Sequence, residues 1–193
     1  MIFNHEKNIL EILNIAIDSG REILNIYNNE ITFDTKKDKS PITQADINSN
    51  NLIISRLKKL EPKIPILSEE SLVKWENRKD WNRYWLIDPL DGTKEFINRN
   101  GEFTVNISLI EKNFVTFGII YAPAKSLLYY AFKNKGCYKL KTNSNLKTLK
   151  NFNKINTNKE KSSTTKVIGS RSHSNKEFQI WIENKFTNFE LIT

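Results

Sequence analysis

Residues 83–106, which read RYWLIDPLDGTKEFINRNGEFTVN, decide the fold. The apolar run at 84–87 predicts a buried strand, because a short apolar run bounded by turn residues is typical of one. The motif DPLDGT at 88–93 then predicts a turn, and residues 94–97 predict the start of a short helix. Its two carboxylates, three residues apart around that turn, are expected to face one site.

Regular elements flank this stretch on both sides. Apolar residues at three- and four-residue spacing predict amphipathic helices, and apolar residues at every second position predict strands. The predicted elements are helices at 4–28, 43–60 and 176–186, strands at 31–36, 64–67 and 167–169, an antiparallel meander over 103–132 with a turn at 111–113, and a strand beginning at Phe189. Two helices, a mainly antiparallel sheet and further α/β segments indicate an α+β layered fold.

Composition limits the classes of function. The net charge is +8, from 30 basic and 22 acidic residues. Seven lysines and a single acid fall in one polar segment, 141–166, which has no clustered arginine and little aromatic interleaving. That distribution does not favour nucleic-acid binding, although a positive field suits a small polyanionic substrate. The single cysteine, Cys137, excludes an internal disulfide and a cysteine-based zinc site.

No targeting or membrane-spanning signal is evident. The first residues, MIFNHEKNIL, are charged early and lack a continuous apolar block, unlike a signal peptide. No stretch approaches the roughly 18 apolar residues of a membrane span. We therefore expect a cytoplasmic protein, with peripheral association with the inner face of the membrane left open.

Four carboxylates lie at the ends of predicted elements: Asp46, Glu69, Asp88 and Asp91. Brought together without basic partners, they would repel one another and raise each other's pKa. Mg²⁺ resolves that conflict, because it takes oxygen ligands and also binds substrate phosphates. Taken singly, any one aspartate here is more often a cap or turn residue than a ligand. The combination favours a metal site.

The Asp-Gly-Thr part of the motif adds an anion-binding element. A helix that begins at Gly92 and Thr93 would present free N–H groups to a phosphate, and glycine lets the backbone approach closely. A metal site beside such a helix start indicates metal-assisted hydrolysis of a phosphate ester. Thr43, three residues before Asp46, is predicted to cap its helix, to be a partner of Asp46, or both.

Several motifs resemble those of a known enzyme superfamily. The DPLDGT motif at 88–93, Ser68-Glu69-Glu70 and the block SPITQAD at 40–46 are similar to motifs of the inositol monophosphatase superfamily. The long run 83–106 and the sequence SRSH at 170–173 resemble its 3'(2'),5'-bisphosphate nucleotidase branch. The resemblance implies a layered sugar-phosphatase fold, with domain 1–140 as the N-terminal α+β metal-binding domain and 141–193 as the start of a truncated C-terminal α/β domain.

The resemblance also implies residue roles. Glu69, Asp88, the Leu90 carbonyl and Asp91 would bind two or three Mg²⁺ ions, and Asp46, Thr93 and Glu69 would be catalytic, with Asp46 and the Thr93 hydroxyl orienting and deprotonating the attacking water. The implied substrate contacts are Glu69, Leu90, Asp91, Gly92, Thr93, Ser172 and His173. By its position alone, a loop histidine such as His173 is more often a polar surface group than a substrate contact.

The implied reaction is hydrolysis of 3'-phosphoadenosine 5'-phosphate to AMP and phosphate, inhibited by Li⁺ and serving sulfate assimilation. The family continues with a Trp-Asp-x-Ala-Ala motif, but none of the four tryptophans here precedes an aspartate. We therefore expect roughly 50 to 70 family residues to be absent, the second metal site to be weakened and a separate chain to be a candidate supplier of the missing part. An inositol or sugar phosphate phosphatase and an inactive remnant are the alternatives.

Overall fold

The computed structural model describes residues 6–29, 32–36, 41–157, 163–170 and 176–192. The chain divides into two compact units, Met1–Asn156 and Thr157–Thr193. The functional division predicted between residues 140 and 141 stays a prediction. In the described residues no helix is both long and apolar enough to cross a membrane.

The described part of the chain forms five α-helices and one 3₁₀ helix, Pro123–Lys125. The α-helices are α1 (Glu6–Tyr27), α2 (Gln44–Leu60), α3 (Trp75–Arg78), α4 (Thr93–Ile97) and α5 (Lys176–Lys185). The predictions for α1, α2, α4 and α5 are confirmed within a few residues of their ends, whereas α3 was missed because a single helical turn carries no periodic signal. Most of the apolar stripe of α1 is buried, and Ile12 and Ile17 within it are fully buried.

Eleven strands accompany the helices in the described residues. They are β1 (Phe33–Thr35), β2 (Pro41–Thr43), β3 (Ile66–Ser68), β4 (Arg83–Asp91), β5 (Thr104–Glu111), β6 (Phe114–Ala122), β7 (Leu127–Phe132), β8 (Gly136–Lys141), β9 (Asn153–Ile155), β10 (Thr165–Ile168) and β11 (Phe189–Ile192). The predicted meander is β5–β7, and its turn at 111–113 is confirmed. β8 extends the meander by one strand that its two lysines, Lys139 and Lys141, had obscured.

Strands β3 to β9 form one seven-stranded sheet in sequence order. β3 and β4 run parallel, and every later neighbouring pair is antiparallel. One face of the sheet packs on α1 and α2, so Trp85 and Ile119 are buried while their chain neighbours Leu86 and Ile120 are exposed on the opposite face. This alternation is the period-two signature of a sheet with one covered face.

The prediction of a turn at 88–93 is corrected in part. β4 continues through Asp91, and its pairing with β5 is interrupted between Asp88 and Asp91, which pair with Asn106 and Thr104. Pro89 has no N–H to give to the ladder, so the strand passes it as an irregularity rather than ending there. The change of direction comes at Gly92, which has φ of +91°.

The second unit contains β10, α5 and β11. The two strands pair in parallel, from Thr165 opposite Phe189 to Ile168 opposite Ile192. A parallel pair requires a crossover, and α5 supplies it. The predicted strand, helix and strand of this region are therefore confirmed.

Candidate active site

Asp46 is held by the start of its own helix. Its Oδ2 accepts hydrogen bonds from the Thr43 backbone N–H at 2.7 Å and from the Thr43 hydroxyl at 2.6 Å, which completes a capping box. The Thr43 hydroxyl also accepts from the Ala45 N–H at 3.1 Å. Thr43 is thus both the helix cap and a partner of Asp46, as predicted.

The remaining oxygen of Asp46 faces Thr93. The Thr93 hydroxyl lies 3.2 Å from Asp46 Oδ1 and 3.4 Å from the Leu90 carbonyl oxygen. Asp46 is fully buried, and burial raises the pKa of its carboxyl, although the bonds from Thr43 and Thr93 oppose that rise. The structure therefore brings together two of the predicted catalytic residues, 47 positions apart in sequence.

Gly92 makes the sharp change of direction between β4 and α4. At φ of +91° and ψ of 43°, its backbone is in the left-handed region that side chains disfavour. A Cβ at this position would lie 2.9 Å from the Glu102 carbonyl oxygen. Only glycine satisfies both constraints, and it sets Thr93 at the first position of α4.

Asp88 concentrates the negative charge of the site. Burial, the charges of Glu69 and Asp91, and a hydrogen bond with Glu69 raise the pKa of its carboxyl to about 7, opposed by a hydrogen bond from the Leu90 backbone. Asp88 Oδ1 is buried and has no hydrogen-bond partner among the described residues. An unpartnered carboxylate oxygen between two other acids is an arrangement that a divalent cation relieves.

The acids Glu69, Asp88 and Asp91 do not form a metal-binding cluster as the structure stands. In the described part of the chain, no group of three or more His, Cys, Asp or Glu is arranged to hold a metal ion. Glu69 Oε1 instead receives the Lys36 ammonium at 3.0 Å, and Asp91 Oδ2 receives the Asn106 amide at 3.0 Å. The donor chemistry, and the orphaned Asp88 oxygen in particular, is of the kind that Mg²⁺ takes, although Glu69, Asp88 and Asp91 are not arranged around one point.

Lys36 is a site residue that the sequence did not identify. Its ammonium bonds Glu69 at 3.0 Å and Glu70 at 2.6 Å. Burial opposes its charge, but the bonds and charges of the two glutamates together raise the pKa of Lys36. Residues 36–39 read KKDK, and nothing in that run distinguishes the lysine that faces the acids. Only the spatial proximity of the β1 end to the Ser68-Glu69-Glu70 turn reveals it.

A cavity of about 400 Å³ opens beside the acids. Its polar lining includes these side chains: Ser68, Glu69, Asp88, Arg78 and Asn106. The rest of its wall is formed by Leu67, Leu72, Val73, Leu86, Ile87 and Ser108. The cavity therefore has acidic residues at one end and a mainly apolar wall, which lies on the open face of the sheet. Two predicted substrate contacts, Ser172 and His173, lie outside the described residues.

The fold and the acids at the DPLDGT motif define a class of protein. The model of the inositol monophosphatase family matches residues 6–190, and the chain belongs to this family. The resemblance and the layered α+β fold predicted from the sequence are thereby confirmed.

Within the family, the chain is similar to curated 3'(2'),5'-bisphosphate nucleotidases named CysQ. It is 47% identical over 127 residues to CysQ of Salmonella typhimurium (strain LT2), a match that covers 65% of this chain and 52% of the relative. It is 40% identical over 179 residues to CysQ of Buchnera aphidicola subsp. Acyrthosiphon pisum (strain APS), with 92% and 64% covered. The chain thus spans about half to two thirds of the length of these relatives.

A solved structure agrees with this similarity. The crystal structure of CysQ from Bacteroides thetaiotaomicron superposes with a TM-score of 0.82 at 34% identity, covering 98% of this chain and 73% of that one. That protein is described as a bacterial member of the inositol monophosphatase family.

Proposed function

We propose that this chain acts in a Mg²⁺-dependent phosphatase that removes the 3'-phosphate of 3'-phosphoadenosine 5'-phosphate, giving AMP and phosphate. The observation that carries the proposal is the contact between Asp46 and Thr93, which occurs together with the acids of the DPLDGT motif. The chain that contains them is similar to bisphosphate nucleotidases. A cytoplasmic location and a role in sulfate assimilation belong to the same proposal.

The metal would be held by Glu69, Asp88, Asp91 and the Leu90 carbonyl. When bound, Mg²⁺ supplies positive charge that stabilises the attacking and leaving oxygens of an in-line displacement. The number of ions, and a contribution to the site from a separate chain, stay predictions. Mg²⁺ would also replace the proton that Asp88 retains near neutral pH.

Proton transfer falls to Asp46 and Thr93. Both bonds from Thr43 are made to Oδ2, so Oδ1 is the oxygen of Asp46 that faces the reacting side. The attacking water gives a proton to the Thr93 hydroxyl oxygen as the hydroxyl proton passes to Asp46 Oδ1. The bond from the water oxygen to phosphorus forms, the bond to the 3' oxygen breaks, and the leaving oxygen takes a proton from solvent.

The phosphate would lie against the start of α4. Gly92 brings the backbone to that point without a side chain, and its amide and that of Thr93 are the groups proposed to hold the phosphate oxygens. Glu69 and Asp91, with Ser172 and His173, are the proposed contacts to the remainder of the substrate.

The test is substrate discrimination by the purified chain. Phosphate release is measured with 3'-phosphoadenosine 5'-phosphate, inositol 1-phosphate and fructose 1,6-bisphosphate, each with and without Mg²⁺ and with added Li⁺. We expect Mg²⁺-dependent release that is fastest from the nucleotide and is inhibited by Li⁺. Preferential release from the inositol or sugar phosphate would replace the proposed substrate, and no release from a folded sample would contradict activity of this chain.

A further inference from the structure

We infer that Ser49 and Asn50 are positioning residues that fasten the two acid-bearing loops of the site to helix α2. The inference rests on the proposed function for its consequence in catalysis, but not for its structural content. Asp46, Ser49 and Asn50 are spaced i, i+3 and i+4, so they share one face of α2. All three are buried, with exposed fractions of 0%, 0% and 5%.

Polar side chains on a buried helix face require an explanation, because an unsatisfied buried polar group is costly. A serine inside a helix usually bonds a carbonyl of its own preceding turn. The Ser49 hydroxyl instead donates to the carbonyl of Pro89, 40 residues away, at 2.7 Å. Its partner is therefore the acidic loop and not its own helix.

The Pro89 carbonyl lies where the sheet provides no partner. The β4–β5 ladder pairs Asp88 and then Asp91, so Pro89 and Leu90 fall in the interruption between them. Pro89 is buried, and its carbonyl lies between the two aspartates of the motif. The bond from Ser49 thus fixes the backbone of this interruption, and with it the Asp88 carboxylate and the Leu90 carbonyl.

A second serine completes this connection. The Ser19 hydroxyl of α1 lies 2.6 Å from the Ser49 hydroxyl, and both side chains are fully buried. A hydroxyl has one proton to donate, and Ser49 gives its proton to Pro89. Ser19 must therefore be the donor to Ser49. The chain of bonds runs from α1 through α2 to the loop between Asp88 and Asp91.

Asn50 holds the other acidic loop at two points. Its Oδ1 accepts from the Ser68 hydroxyl at 2.7 Å, and its amide nitrogen donates to the Ser71 hydroxyl at 3.0 Å. The Ser68 hydroxyl in turn accepts from the Glu70 N–H at 3.2 Å. These contacts enclose the turn that carries Glu69 and Glu70. One face of α2 therefore positions Asp46 directly and both acidic loops through Ser49 and Asn50.

The test compares Ser49→Ala and Asn50→Ala with Ile53→Val. Ile53 is fully buried on the same helix, so its truncation weakens the packing of α2 without removing a bond to either loop. Hydrogen exchange is measured at residues 66–72 and 87–92, and the Mg²⁺ dissociation constant is measured by calorimetry. Where phosphate release is detectable, kcat and KM are measured separately.

We expect exchange to accelerate about tenfold at 87–92 in Ser49→Ala and at 66–72 in Asn50→Ala, as the loss of a buried hydrogen bond predicts. The Mg²⁺ dissociation constant should rise about tenfold in each, the scale seen when residues behind metal ligands are removed. Ser19→Ala leaves the bond to Pro89 in place and should have the smaller effect at 87–92. In Ile53→Val, neither loop should change selectively.

Unchanged exchange at both loops in the two alanine variants would overturn the inference. The inference would also be overturned if Ile53→Val, at matched stability, accelerated exchange in both loops as much as the alanine variants do. In that case α2 would hold the loops only through packing. If the wild-type chain neither binds Mg²⁺ nor releases phosphate, the proposed function fails, and the exchange measurements still decide whether Ser49 and Asn50 position the loops.

Discussion

Single residues set the chemistry of this site through their backbone as much as through their side chains. Asp46 is oriented by the N–H and hydroxyl of Thr43, so a helix cap doubles as the holder of the proposed base. Gly92 is required by geometry, because both its positive φ and the nearby Glu102 carbonyl exclude a side chain. These two features determine where Asp46 and Thr93 meet.

Gly92→Ala tests the geometric requirement. Gly101 also has a positive φ, of +75°, but a Cβ there would meet only the Ala124 side chain, at 3.4 Å. Gly101→Ala therefore carries the backbone strain alone, about 1–2 kcal/mol, whereas Gly92→Ala adds a steric conflict of about 1–3 kcal/mol. Urea unfolding should find Gly92→Ala the less stable variant. Equal losses would show that the approach of Glu102 is unimportant.

The pKa of Asp88 predicts how stability depends on pH. Its folded value of about 7 lies above the ordinary 3.8, so the folded chain retains a proton that the unfolded chain releases. Without metal, this contribution is complete below the unfolded pKa and is lost as pH rises through about 7, so the melting temperature should fall as pH rises from about 4 to about 7. Asp46 and Glu70, whose pKa values are also raised, should act in the same direction.

Mg²⁺ should reverse this trend, because it competes with the proton on Asp88. The rise in melting temperature on adding Mg²⁺ should be larger at about pH 8 than at about pH 5. Asp88→Asn should abolish most of the Mg²⁺ effect and flatten the metal-free pH dependence, while Asn at the exposed Asp80 should change neither. A Mg²⁺ effect that is independent of pH would contradict an ionisable Asp88 at the metal site.

At the scale of elements, the end of α1 and the end of α4 are joined by Arg99. Its guanidinium donates to the carbonyls of Tyr27 and Asn29 and lies over the Tyr27 ring. The last turn of α1 contains no basic residue of its own, so Arg99 supplies the positive charge that a helix C-terminus favours. Arg99 itself ends α4 with φ of +55°, where glycine is preferred.

Two substitutions separate the side chain of Arg99 from its backbone. Arg99→Ala loses the carbonyl contacts and keeps the strained φ, so we expect it to destabilise the chain by about 1–2 kcal/mol. Arg99→Gly loses the same contacts but relieves the strain, and should be more stable than Arg99→Ala by about 1 kcal/mol. The same two substitutions at Lys112, Lys112→Ala and Lys112→Gly, measure the backbone contribution alone, because Lys112 has φ of +50° in the β5–β6 turn. Equal unfolding midpoints for the two Arg99 variants would contradict this account.

The elements that sequence predicted are those whose signals are local. The stripe of α1, the capping box of α2 and the alternation of β5–β7 each arise from neighbouring residues. Lys36, Ser49 and Asn50 could not be identified in this way, because their partners are 33, 40 and 18 residues distant. In sequence, Ser49 and Asn50 only interrupt the apolar stripe of α2, and their roles appear when the acidic loops pack against that helix.

At the scale of the whole molecule, the seven-stranded sheet has one covered and one open face. Ile119 is 2% exposed beneath the helices, whereas its neighbour Ile120 is 51% exposed on the open face, where Leu86 and Val115 are exposed as well. An open apolar face of this kind favours self-association. The face also carries the cavity beside the acids, so its exposure bears on the proposed substrate site.

Substitution of these two neighbours by threonine should give opposite results. Ile119→Thr places a hydroxyl in the core and should destabilise the chain by about 2–4 kcal/mol. Ile120→Thr should leave stability within about 0.5 kcal/mol and reduce both light scattering and binding of a hydrophobic dye. If Ile120→Thr were as destabilising as Ile119→Thr, the face would be covered in solution.

We propose that Asp46 and Thr93 carry out proton transfer in a Mg²⁺-dependent phosphatase. The most direct measurement is the rate of phosphate release from 3'-phosphoadenosine 5'-phosphate by the wild-type chain, Asp46→Asn, Thr93→Ser and Thr93→Val, with and without Mg²⁺. We expect release that requires Mg²⁺, persists in Thr93→Ser and falls about a hundredfold or more in Asp46→Asn and Thr93→Val. Undiminished release in those two variants, or release without Mg²⁺, would contradict this proposal.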